Sequence, residues 1–263
     1  MLNVEREGAI AILTLSRPDA MNAVGQAGDG AVMREACQTL NADKGVRCVI
    51  LTGAGRAFSA GGDLKAMNDP NGVFAGSPVQ IRDHYRHGIH DIVRALYELD
   101  MPLIAAINGP AIGLGCDLAG TADIRIASDK AKFGVTFLKI GLAPGDGGAW
   151  LLPRIIGSER AAELLFTGDV VPAETARDWG LVSRVVPHDT LIDEAMALAT
   201  RIAAMPAQAL RMTKALVREG RTSSFAQALE MAASAQAQLH STRDFREGVQ
   251  ALLDKRPPDF TGR

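Results

Sequence analysis

The ten residues Asn108 to Asp117, Asn-Gly-Pro-Ala-Ile-Gly-Leu-Gly-Cys-Asp, restrict what this 263-residue chain can fold into more than any other stretch. They follow the apolar run Pro102 to Ile107 and lead into Leu118 and Ala119. A β-rich run that breaks at Gly109, Pro110, Gly113 and Gly115, and resumes with helical spacing at Ile112, Cys116 and Ala119, predicts a strand, a tight loop and a helix N-terminus. Backbone N–H groups in such a turn lack intrahelical partners. With the helix dipole behind them they suit a negatively charged oxygen, and Asp117 falls about one turn into the helix with a carboxylate able to move a proton. An anion site beside a carboxylate is what enolate chemistry requires.

A second stretch repeats the offer. Val46 to Leu51 reads as a continuous β-branched and aliphatic strand, followed by Thr52-Gly-Ala-Gly-Arg-Ala-Phe-Ser-Ala-Gly-Gly-Asp-Leu-Lys65, a glycine-rich loop that opens a helix with Asp63 in its first turn. The motifs A-F-S-A-G-G-D-L-K and N-G-P-A-I-G-L-G-C-D resemble the two oxyanion-hole segments of the crotonase superfamily, the enoyl-CoA hydratases and isomerases. The resemblance begins at Leu15-Ser-Arg-Pro-Asp-Ala-Met-Asn-Ala23 and reaches Arg246-Glu-Gly-Val-Gln-Ala-Leu-Leu-Asp-Lys-Arg256, so it spans nearly the whole chain.

That resemblance implies an α/β spiral of ββα units over residues 1–199 with an acyl-CoA site, and a helical trimerisation region over 200–263. It implies an acyl-CoA thioester as substrate and no cofactor beyond the CoA that the substrate carries. The backbone N–H groups of Ala60 and Leu114 would hold the thioester oxygen as it becomes an enolate, with Ala60, Gly61, Gly62, Asp63, Leu114 and Phe137 around the substrate. Asp117 stands at the family's acid position. Where the well-studied hydratases have a second catalytic glutamate, this chain has Phe137, and a phenyl ring cannot move a proton. Hydration by two carboxylates then requires Asp146, in the turn Gly145-Asp-Gly-Gly148, to substitute. The wording of Ala131 to Arg154 is closest to the branch that includes the ring-epoxide isomerases of phenylacetyl-CoA catabolism. A non-catalytic acyl-CoA binding protein that keeps the fold is the other reading.

Other classes fit poorly. A chain with 47% apolar residues can bury a large core, and a net charge of −2 provides no field for nucleic acid. The window Met101 to Gly120 has the length of a membrane span but carries Asn108, Asp117, prolines and glycines, so it reads as buried core. No basic region followed by an apolar core opens the chain, which leads us to expect a cytoplasmic protein. Cys37, Cys48 and Cys116 form no C-x-x-C pair and read as reduced thiols, Cys116 as a small buried filler. Gly113-Leu-Gly115-Cys-Asp-Leu118 lacks the third glycine of a dinucleotide loop, neither glycine stretch leads to Gly-Lys-Ser or Gly-Lys-Thr, and Phe58-Ser-Ala60 lacks the G-x-S-x-G frame of a nucleophilic serine.

Along the rest of the chain, a strand is expected over 9–15 and a helix over 25–40, with Asn22 as a cap. Arg17 either faces a CoA phosphate or is a solvated loop arginine. Residues 65–78 read as a loop, and 79–99 as one helix with Ile81, Tyr85, Ile89, Ile92, Leu96 and Leu99 facing inward. His84, His87 and His90 rotate around that helix, leaving the outer two about 120° apart, which argues against a metal site. Strands over 122–127 and 181–186 and helices from Ser158 and Pro172 follow. From Thr190 onward the pattern is helical, and its resemblance to the family's assembly region implies a trimer or a dimer of trimers.

Overall fold

The computed structural model describes residues 1–262. Its larger sheet has six strands in the order β1 (Leu2–Glu7), β2 (Ile10–Leu15), β3 (Cys48–Gly53), β4 (Leu103–Ile107), β6 (Ile124–Ser128) and β9 (Arg184–Val186). Only the β1–β2 pairing is antiparallel. A three-stranded sheet joins β5 (Ala111–Ile112), β7 (Lys132–Gly134) and β8 (Val170–Pro172). Consecutive strands therefore alternate between sheets, β4 to β5 and β6 to β7. Two isolated bridges extend the smaller ladder toward the first glycine loop, Ser59 beside Ala111 and Val24 beside Gly62.

The parallel strands are apolar on both faces because both faces are covered. Ala11, Leu13 and Leu15, Val49 and Leu51, and Leu103, Ala105 and Ile107 enter one core. The alternate residues Ile10, Ile12, Cys48, Ile50, Ile104 and Ala106 enter a second, closed by Leu191, Ala195 and Ala199 of the helix Leu191–Ala203. That helix runs without a break through the 199/200 boundary, so its packing belongs to the sheet. The next helix, Ala207–Glu219, is anchored by buried Lys214, whose Nζ lies 2.8 Å from Asp123 Oδ2 and donates to the Met101 carbonyl at 2.9 Å. The helix Phe225–His240 buries no residue, and Phe225, Leu229, Leu252 and Leu253 stand exposed in the region that the family resemblance assigns to assembly.

The helix expected over 79–99 is interrupted. Pro78–His84 and His90–Tyr97 are α-helical, with a π-helical turn at Tyr85–Ile89 between them. The helix Asp29–Ala42 packs tightly here, since a Cβ on Gly30 would come 2.3 Å from the Gly88 carbonyl oxygen. Inserted turns of this kind concentrate near functional sites. Asn22 caps nothing; it holds φ 55° and its amide donates to the Ala54 and Ala57 carbonyls, both at 2.8 Å. No helix among the described residues is long and apolar enough to cross a membrane.

Candidate active site

The two glycine loops meet as the sequence implies, and side-chain amides fasten them. Asn108, at the end of β4, accepts from the Gly53 N–H at 3.2 Å and donates to the Gly55 and Ala57 carbonyls at 2.9 and 3.2 Å. The contact is close enough to demand glycine: a Cβ on Gly61, which has φ +91°, would lie 2.4 Å from the Ile112 carbonyl oxygen and 3.2 Å from the Leu114 nitrogen. On the other side, a Cβ on Gly115 would lie 2.2 Å from the Ser59 carbonyl oxygen.

Following each N–H of the first loop to its acceptor corrects one expectation. Ala60 donates its N–H to the Met21 carbonyl at 2.8 Å and has none left for a substrate. Phe58 and Ser59 donate to the Pro110 carbonyl, Gly61 to Ser59 Oγ, and Asp63 to the Val24 carbonyl. Gly62 is the exception. In the parallel bridge Val24 exchanges bonds with residues 61 and 63, which turns the Gly62 N–H away from it, and no acceptor takes it among the described residues. In the second loop Gly113 donates to the Gly134 carbonyl, whereas Leu114 and Gly115, at the start of the helix Leu114–Thr121, donate to no group among the described residues. The free donors of the two loops among the described residues are thus Gly62, next to the Gly61 that packs on the Leu114 nitrogen, and Leu114 and Gly115.

Asp117 is 1% exposed in that helix, and neither carboxylate oxygen has a hydrogen-bond partner among the described residues. It lies against the N-terminus of the helix Gly148–Ile156, where a Cβ on Gly148 would come 2.1 Å from Oδ1. Burial pushes its carboxyl well above the usual carboxylate range, the charge of Asp146 adds to the shift, and the nearby Gly148 N–H offsets it only weakly. Asp146 is buried as well, with Oδ1 unpartnered, and burial raises its carboxyl to about 6 against the opposing influence of His90. Asp146 forms part of a cleft of about 430 Å³ whose other walls include His90, Val93, Tyr97 and Trp150. Tyr97 and Trp150 meet edge to face there, ring centres 5.9 Å apart.

The remaining expected residues fall into place unequally. Phe137 is buried with its ring near Gly113, a Cβ on which would lie 3.8 Å from Cζ, so it walls the second loop. Asp63 caps the short helix Leu64–Met67 through the Lys65 and Ala66 N–H groups and accepts from Gln26 at 2.7 Å; that side-chain bond holds its carboxyl below the usual range. Arg17 is bidentate to buried Asp29 at 2.7 Å, so its guanidinium is held against the protein and not free in a solvated loop. Cys116 is buried. The three histidines form no metal cluster with other residues among those described: His84 packs against Phe74, and His90 bonds to the Gly145 carbonyl. Sequence reasoning missed the Gly62 amide as a donor and His90 as a neighbour of Asp146. No local pattern reveals either, since one depends on a bridge to residue 24 and the other on a contact across 55 residues.

Over residues 5–263 the sequence matches the family model described as enoyl-CoA hydratase/isomerase. The chain belongs to that family. It is 38% identical over 258 residues to the 1,2-epoxyphenylacetyl-CoA isomerase of Escherichia coli strain K12, covering 98% of this chain and 97% of the relative. To the crotonyl-CoA hydratase of Syntrophomonas wolfei it is 36% identical over 259 residues, covering 98% and 96%. The structure of an enoyl-CoA hydratase from Bacillus anthracis superposes with a TM-score of 0.93 at 33% identity, covering 100% of this chain and 99% of the other. The enoyl-CoA hydratase/isomerase family and its crotonase spiral are therefore shown for this chain, in agreement with the resemblance carried by its two glycine loops.

Proposed function

We propose that this enoyl-CoA hydratase/isomerase family member acts on an acyl-CoA thioester through an enolate held by the backbone N–H groups of Gly62 and Leu114. The observation that carries the reading is a buried pair of carboxylates, both oxygens of Asp117 and Oδ1 of Asp146, that no donor among the described residues satisfies. A fold keeps such groups at a cost unless a reacting molecule completes them. In this scheme one carboxylate takes a proton from the carbon next to the thioester, the electron pair moves onto the thioester oxygen, and a proton returns to the α or a more distant carbon. Asp117, the more deeply buried, holds the shared proton, and Asp146, at about 6, is the carboxylate at neutral pH.

Phe137 removes the acid that water addition uses in the well-studied hydratases, so Asp117 and Asp146 are left to supply every proton transfer, and rearrangement asks the less of them. Moving a double bond or opening a strained ring needs one proton taken and one returned. Incubating the protein in heavy water with a panel of enoyl-CoA, saturated acyl-CoA and ring-epoxide thioesters, read by mass spectrometry, tests the proposal. Deuterium at the α carbon together with shifted double bonds or opened rings is the expected result. Acyl-CoA binding without exchange or turnover across the panel would make the chain a thioester-binding protein instead.

A further inference from the structure

His90 stands at the point where the π-helical turn gives way to α-helix, and its Nε2 lies 2.8 Å from the Gly145 carbonyl oxygen. A carbonyl only accepts, so the hydrogen sits on Nε2 and Nδ1 is the nitrogen that gains or loses a proton. The turn that holds Gly145 also carries Asp146, and the two side chains line the same cleft.

We propose that His90 is a positioning residue for Asp146: its bond to Gly145 fixes the turn that carries the carboxylate, and it sets a basic ring beside that carboxylate in the shared cleft. The surroundings supply few competing charges. From its own helix come Tyr85, whose ring centre lies 6.1 Å from that of His90, and Arg94, which is paired with Asp91 at 3.0 Å. Across the cleft stand Trp150, covered by the Arg154 guanidinium 4.1 Å from its ring centre, and behind the turn lies Asp117. Burial and the charge of Asp146 both raise the Tyr85 hydroxyl, which keeps it neutral. The direction already noted for Asp146, with His90 opposing the effect of burial, agrees with this arrangement.

The role of this pair in proton transfer rests on the proposed enolate chemistry, whereas the coupling itself does not, and the test separates them. In protein labelled with ¹³C at aspartate carboxyls, the signal lost in Asp146→Asn identifies Asp146. His90→Gln keeps an N–H donor and loses the charge, so the Asp146 midpoint is expected to rise by about one pH unit at low salt and by less at high salt. An unchanged midpoint overturns the proposal even if the enzyme turns over acyl-CoA. Given turnover, the acid limb of the kcat profile should move with the midpoint, and His90→Phe, which loses donor and charge together, should turn over about tenfold more slowly than His90→Gln at the top of the profile. Equal rates for the two folded variants would remove the positioning role of the bond.

Discussion

Asp117→Asn is expected to lower both α-proton exchange and product formation by about 10²–10⁴-fold, the usual contribution of a positioned acid or base. Asparagine is the informative replacement because the site has no spare room, a Cβ on Gly148 coming 2.1 Å from the Asp117 carboxylate, and because the shape is kept while the carboxyl that gives and takes the shared proton is lost. Far-ultraviolet circular dichroism on the same sample establishes that the variant folds. Exchange measured in heavy water with a saturated acyl-CoA isolates the proton step from later ones. A folded Asp117→Asn protein with wild-type rates in both measurements would eliminate the proton-transfer role.

Leu114→Pro separates a backbone role from a side-chain role in the same residue. Proline removes the N–H, alanine keeps it, and loss of one donor to a developing oxyanion typically costs about 10²–10³ in kcat. The position tolerates the test. Leu114 is the first residue of its helix, where proline's fixed φ and missing N–H are accommodated, and its N–H donates to no protein group among the described residues, so no internal bond is broken. At Ala60 proline would instead break the bond to the Met21 carbonyl and loosen the loop. Steady-state kinetics of the two Leu114 variants should therefore differ by that factor, and equal rates would exclude the amide as a donor.

Much of this organisation was legible from residue order. The apolar runs before the two glycine loops gave β3 and β4, and the glycines at 61 and 115 sit where the loops touch. Asp117 and Asp146 were visible as carboxylates beside glycine turns and do share one buried region. The choice between Ala60 and Gly62 was hidden because it depends on which way each peptide N–H turns, and the bridge to Val24 decides that from outside the loop. The three short strands of the smaller sheet have two or three residues each, too few for periodicity to register. The π-helical turn escaped for a related reason: inward-facing residues recur on both sides of it, and only the approach of Gly30 to the Gly88 carbonyl marks the break.

The two buried carboxylates also bear on how the protein tolerates pH. A carboxyl that titrates near 3.8 in the unfolded chain and near 6 in the folded one adds stability at low pH, where both states are protonated, and that advantage is lost as the pH rises through the folded value. For Asp146 the difference amounts to about 3 kcal/mol by neutral pH, a sizeable share of the stability of an ordinary domain. Asp146→Asn should therefore flatten the decline in urea-unfolding free energy between about pH 4 and pH 7, and a decline as steep as wild type would show that the carboxyl is not held neutral by burial. The fold carries that cost where its proposed chemistry resides, and a thioester that binds only the folded protein would offset part of it by mass action.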